Sequence, residues 1–149
     1  NLVVWGNHSP TMFPNWFKCT IDGAPATELI GDADWFGGEF LTTVQTRGKA
    51  IINARGKSSA ASAASAAIDH VNSWMTGAMT GDYVSMAVQS DGSYGVPEGL
   101  IFSYPCKITA PGEYEIVQGL ELNETEQAAI KKTADELASE REAVAEMLG

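Results

Sequence analysis

Histidine is the residue type that exchanges a proton near neutral pH, and this sequence holds two, His8 and His70. His8 follows the apolar run Leu2-Val3-Val4-Trp5 and the break Gly6-Asn7, and shares its segment with Ser9 and Thr11. A loop at the end of a buried strand is where a rigid scaffold presents working groups to solvent. The spacing suits general acid/base chemistry, and a loop histidine without a catalytic part is the other reading of the same residues. His70 lies beside Val71, two residues after Ile68, and reads as a structural helix residue. Nucleophilic catalysis finds no support, because no G-x-S-x-G turn and no catalytic cysteine context is present. No His, Cys and carboxylate cluster has metal-ligand spacing. No G-x-G-x-x-G or P-loop is present to cradle phosphates. Asp22, Asp32, Asp34 and Asp91 all stand near glycines and read as turn residues.

The elements that must position His8 follow from periodicity. Leu2–Trp5 reads as a short buried strand. Residues 16–34 mix Gly, Pro, Asp and short apolar runs, which suggests a short strand and then a loop. From 35 to 54 the apolar positions Phe36, Phe40, Val44, Ile51 and Ile52 share a helical face, with Asp32 or Asp34 as N-cap. The Ala/Ser run from Ser58 to Ala67 continues into Ile68, Val71 and Met75 at helical steps from Ala64, so a helix over 59–74 is expected, capped by Ser58 or Ser59 and stopped at Gly77. Its small-residue face predicts a close contact, which Ala64→Leu should overpack by roughly 1–3 kcal/mol. Residues 83–88, 100–105 and 114–117 read as three strands separated by short turns, hence antiparallel neighbours. Asn123 and Glu126 form a capping-box pattern before a final helix with Ile130, Thr133, Leu137, Arg141, Val144 and Leu148 on one side and its charges on a solvated face. The order predicts an α+β fold, an antiparallel sheet packed with long helices.

The 149 residues suit one domain, and a balance of 9 basic against 19 acidic side chains leaves a net charge of −10. That charge argues against nucleic acid and against an anionic membrane surface as partners. No apolar run approaches the roughly 20 residues of a membrane span. Cys19 and Cys106 are isolated and read as free thiols of a reducing, cytoplasmic compartment.

The string Val4-Trp5-Gly6-Asn7-His8-Ser9-Pro10-Thr11-Met12 is specific. It resembles the active-site histidine segment of the lactate/malate dehydrogenase family, in the form found in malate dehydrogenases of the cytosolic type. Gly38 to Gln45, Arg47-Gly48, Ala54-Arg55, Ser58-Ser59-Ala60, Ser90 to Pro97 and Ile116 to Leu120 resemble the same family in the same order. The resemblance implies that residues 1–149 are a C-terminal, substrate-side catalytic domain, with the nucleotide-binding Rossmann domain absent from this sequence. It implies interconversion of malate and oxaloacetate with NAD(H), a step of the tricarboxylic acid cycle, with no metal, in a cytoplasmic homodimer. His8 is then the general acid/base. Ser58 and Ser59 match the family's substrate-side serines, and one can cap a helix while the other faces the pocket. In that family the Asp partner of the histidine, the substrate-binding arginines and the Gly-rich dinucleotide motif lie upstream of the segment matched by Asn1. The chain by itself is therefore expected to be inactive. The alternatives are an NADP-dependent malate or other 2-hydroxy-acid dehydrogenase, and, for the chain alone, a non-catalytic folded module.

Overall fold

A three-stranded antiparallel sheet forms the centre of the fold in the computed structural model, which describes residues 1–77 and 82–148. Its strands are β5 (Val84–Gln89), β6 (Ile101–Ala110) and β7 (Glu113–Ile116), in that order. β5 and β6 pair from Val84↔Cys106 to Gln89↔Ile101, and β6 meets β7 from Cys106↔Ile116 with an irregularity between Ile108 and Ala110. Alternation along β6 buries Phe102, Tyr104 and Cys106, while Met86 and Val88 of β5 face the same core. The expected three strands are all present, each shifted by a residue or lengthened.

The chain starts with a hairpin, β1 (Val3–Trp5) paired antiparallel to β2 (Phe13–Asn15), and the His8 segment is its connection. β1 lies against β5 and β6 and is tied to them by serines. Ser85 Oγ accepts from the Val4 amide at 3.0 Å, and Ser103 Oγ donates to the Val4 carbonyl at 2.7 Å. Trp5, fully buried, meets Tyr94 edge-on with ring centroids 5.0 Å apart.

Residues 16–34 are richer in structure than the expected strand and loop. After a 3₁₀ turn at Trp16–Lys18 come the small hairpin β3 (Thr20–Ile21) and β4 (Ala24–Pro25), then the short helices α1 (Ala26–Ile30) and α2 (Ala33–Trp35). What organises them is aromatic packing. Trp16 stacks on Phe17 at 4.9 Å and on Phe36 at 6.1 Å, and Phe40 closes the cluster against Phe36 at 5.7 Å. Asp32 caps the helical run by accepting from the Trp35 amide at 2.8 Å. A π-helical turn at Phe36–Phe40, which contains Gly37 and Gly38, leads into α3 (Leu41–Arg55).

α4 (Ala61–Thr76) confirms the Ala-rich helix and its Gly77 stop, but corrects two details. The N-cap is neither serine: it is Ala60, at φ +50° and without a side-chain bond to the helix. Among the described residues the apolar stripe is also largely uncovered, since Ile68, Val71 and Met75 are 68, 51 and 54% exposed and Ala64 is exposed as well. α4 is held at its C-terminal end, where Gly112 donates to the Trp74 carbonyl at 2.9 Å and Trp74 meets Tyr114 edge-on.

The last long helix is α5 (Glu124–Ala143), separated from the short α6 (Ala145–Leu148) at Val144. The capping box is complete: Asn123 Oδ1 accepts from the Glu126 amide at 2.9 Å, and Glu126 Oε2 accepts from the Asn123 amide at 2.8 Å. Ile130 and Thr133 are buried and Leu137 is half-buried as the pattern required, and Ala134 is buried beside them, whereas Arg141 and Val144 are exposed, and the side chain of Leu148 lies outside the described residues. Both cysteines are free, Cys106 fully buried and Cys19 half-buried.

Candidate active site

The backbone around His8 is fixed on three sides. Gly6 exchanges two hydrogen bonds of 3.0 Å with Ser103 of β6, so the loop starts from the sheet. Gly6 has φ +94°, and a Cβ there would come 2.2 Å from Thr133 Cγ2, so only glycine lets the loop lie this close to α5. The Asn7 amide then donates to Thr133 Oγ1 at 3.0 Å. Beyond His8, Ser9 Oγ donates to Glu136 Oε2 at 2.6 Å, and Thr11 Oγ1 donates to the same oxygen. Ser9 Oγ also accepts from the Thr11 amide at 3.0 Å, which closes the turn on itself. On the third side, Gln45 of α3 donates from Nε2 to the Met12 carbonyl at 2.8 Å.

These bonds give Glu136 a charge it keeps easily. The Ser9 hydroxyl, then the Thr11 hydroxyl, and more weakly Asn7 and Lys132, outweigh partial burial and hold its carboxyl below the usual carboxylate range. A carboxylate accepting from neutral donors in a half-buried position gains charge-assisted bonds stronger than neutral ones.

The His8 side chain itself is exposed and borders two concavities. The larger, about 340 Å³, runs between Ser9, Pro10 and Met12 and the α3 face at Val44, Gln45, Gly48, Lys49 and Ile52. The smaller, about 190 Å³, lies between His8, Met12, Val4, Ala87 and Ser103. An imidazole at this border has a mostly apolar wall on one side and a cation, Lys49, on the other. That arrangement can hold a small acid while the ring takes or gives a proton. Among the described residues no cluster of His, Cys, Asp and Glu could hold a metal ion.

Ser58 and Ser59 lie in the turn between α3 and α4, Ser58 exposed and Ser59 half-buried, with Arg55 Nη1 donating to the Ser59 carbonyl at 3.4 Å. Neither lines the two concavities beside His8, so the chain does not by itself unite the serines with the histidine. His70 is half-buried on α4, consistent with its structural reading.

Sequence reasoning missed Thr133, Glu136 and Gln45. Glu136 counted as a solvated-face charge, although it is half-buried against the loop, and Glu126 of the same helix is completely buried. The signal available was Thr133, a polar residue between Ile130 and Leu137 on the apolar side of the helix. A buried hydroxyl needs a partner, and here the partner is the backbone next to His8.

A histidine presented on the connection of an N-terminal hairpin, braced by a C-terminal helix over an antiparallel sheet, sets the frame of an α/β domain. The chain belongs to the lactate/malate dehydrogenase family: the model of that family's alpha/beta C-terminal domain matches residues 1–148. A malate dehydrogenase from Naegleria fowleri is 41% identical over 98% of this chain and 44% of its own, with a TM-score of 0.88. A lactate dehydrogenase from Trichomonas vaginalis, solved with NADH and oxamate, is 28% identical over 99% of this chain and 46% of its own, with a TM-score of 0.87. A malate dehydrogenase from Salinibacter ruber is 25% identical, with a TM-score of 0.81. The chain thus spans less than half the length of the structures it matches.

Proposed function

We propose that this chain is the substrate-side part of an NAD-dependent malate dehydrogenase in which His8 is the proton donor and acceptor. The observation that carries the reading is the exposed imidazole on a braced loop at the border of two concavities. The 41% identity to a malate dehydrogenase supports malate over lactate. In oxidation His8 takes the hydroxyl proton of the 2-hydroxy acid on an imidazole nitrogen. In reduction the imidazolium returns it to the carbonyl oxygen, which cannot carry the developing charge unaided. NAD(H), when bound, supplies the hydride acceptor or donor.

The residues present fit only the reacting end of that cofactor. Concavities of about 340 and 190 Å³ suit a small dicarboxylate and one planar ring, with Val4, Met12 and Ala87 as an apolar wall. No Gly-rich phosphate turn occurs in the sequence, so the rest of the dinucleotide is assigned to a separate nucleotide-binding domain. Ser58 and Ser59 remain the candidates for a substrate carboxylate. They precede the first turn of α4, whose Ala60 cap offers no side-chain acceptor and leaves its first amides open. We assign the full protein to the cytoplasm, as a homodimer, and the chain alone to inactivity.

The test is oxaloacetate-dependent oxidation of NADH by the full-length protein. His8→Asn should lower kcat by about 10²–10⁴-fold with the fold intact. Undiminished turnover would refute the acid/base role. Preference for pyruvate over oxaloacetate would replace malate by lactate, the second reading, which the likeness to the Trichomonas enzyme favours.

A further inference from the structure

We infer that Glu136 of α5 is a positioning residue for proton transfer at His8, an assignment that rests on the function proposed above. Three residues flanking His8 are tied to one face of α5. The Asn7 amide donates to Thr133 Oγ1, and Ser9 and Thr11 both donate hydroxyls to Glu136 Oε2. Thr133 and Glu136 are three residues apart, so their side chains project from one side of the helix. Among the described residues the imidazole itself makes no hydrogen bond. Its placement is therefore set by the backbone on either side, which fixes the Cα–Cβ bond from which the ring swings. That backbone is anchored before His8 by the Gly6–Ser103 exchange and after it by Glu136 at Ser9 and Thr11 and by Gln45 at the Met12 carbonyl.

The Glu136 bonds differ in kind from the rest of the brace. Gly6, Ser103 and Thr133 fix the entry to the loop through backbone bonds and close packing. Glu136 alone collects side chains from the exit, and one carboxylate oxygen takes both hydroxyls. Cutting that point frees Ser9 to Thr11 to move between the remaining anchors at Gly6 and Met12, while β1 and the sheet stay in place. The imidazole then loses its angle to substrate, and small misplacements of a reacting group cost heavily in rate.

The experiment uses the full-length protein and compares Glu136→Leu, Glu136→Gln and, from the loop side, Ser9→Ala combined with Thr11→Val. Expected is a fall in kcat for oxaloacetate reduction of about 10²-fold in Glu136→Leu, with NADH affinity unchanged. Glu136→Gln, which keeps an acceptor oxygen, should recover most of that loss. Amide hydrogen exchange of residues 8–12 should quicken in Glu136→Leu while that of β5 and β6 stays at the wild-type rate. The double loop variant should reproduce the kcat loss, so the result stands even if Glu136→Leu does not fold. Wild-type kcat and wild-type exchange in either folded variant overturn the inference. A kcat loss that Glu136→Gln fails to relieve, with exchange quickened throughout the sheet, also overturns it, since that is a global stability effect. His8→Asn is run alongside: if it keeps full turnover, the proposed function falls, whereas an inactive His8→Asn beside a fully active Glu136→Leu sinks only the positioning role.

Discussion

Asn15 donates from Nδ2 to Oε1 of Glu126 at 2.8 Å, and both side chains are sealed from solvent. Asn15 Oδ1 meanwhile accepts from the Phe17 amide, and Glu126 Oε2 accepts from the Asn123 amide with Lys18 Nζ 3.7 Å away. One carboxylate thus closes the capping box of α5 and anchors the strand that ends the histidine hairpin. Glu126→Ala should destabilise by about 3 kcal/mol, because it strands a buried amide and leaves Lys18 without its counter-charge. Glu126→Gln should cost roughly 1–2 kcal/mol, since one oxygen still accepts. Urea unfolding of the two variants checks the order, and equal midpoints for Glu126→Ala and wild type would contradict it.

Gly6→Ala acts on the loop directly. The added Cβ meets Thr133 Cγ2 at 2.2 Å, and the backbone stays at φ +94°. Either the loop or α5 must move, at a cost of at least about 2 kcal/mol. Denaturant titration and oxaloacetate turnover should both fall. A variant with wild-type stability would mean that this close approach does not persist in solution.

Ala64→Leu should leave the stability of this chain within about 0.5 kcal/mol of wild type, because Ala64 lies on the exposed face of α4. This reverses the overpacking that the small-residue pattern suggests. A loss above roughly 1 kcal/mol in urea would restore the original expectation.

Burial pushes the Cys106 thiol from its ordinary 9.0 up to about 12. The folded chain therefore keeps a proton that the unfolded chain releases above pH about 9. The unfolded state binds fewer protons there, so stability must fall as pH rises from 9 toward 12. Tyr83, Tyr94 and Tyr104 are shifted upward by burial too and act in the same direction. Urea midpoints at pH 8 and 10.5 should separate more for wild type than for Cys106→Ala. At pH 8, a thiol reagent should label half-buried Cys19 and spare Cys106 in the native chain.

Local signals carried much of the fold. The capping box at Asn123 and Glu126, the Asp32 cap, the Gly77 stop and the three antiparallel strands all formed where propensity and turn chemistry placed them. These depend on residues within a few positions of one another. The segment 16–34 was not legible, because its short pieces are ordered by Trp16 meeting Phe36 and Phe40, each 20 or more positions away from it.

The sequence by itself marked His8 through the residues around it and its place after an apolar strand. It could not show that the loop is braced by Thr133 and Glu136, more than 120 positions away. Helical periodicity places Glu136 on a turn of α5 but says nothing of what stands opposite. Nor does it show which side of α4 is covered: the stripe of Ala64, Ile68 and Val71 is apolar in pattern and open in this chain. Period and propensity are short-range properties of the chain, whereas the partner of a side chain is fixed only when distant elements pack. That is why the histidine could be read from its neighbours, and its support only from the tertiary structure.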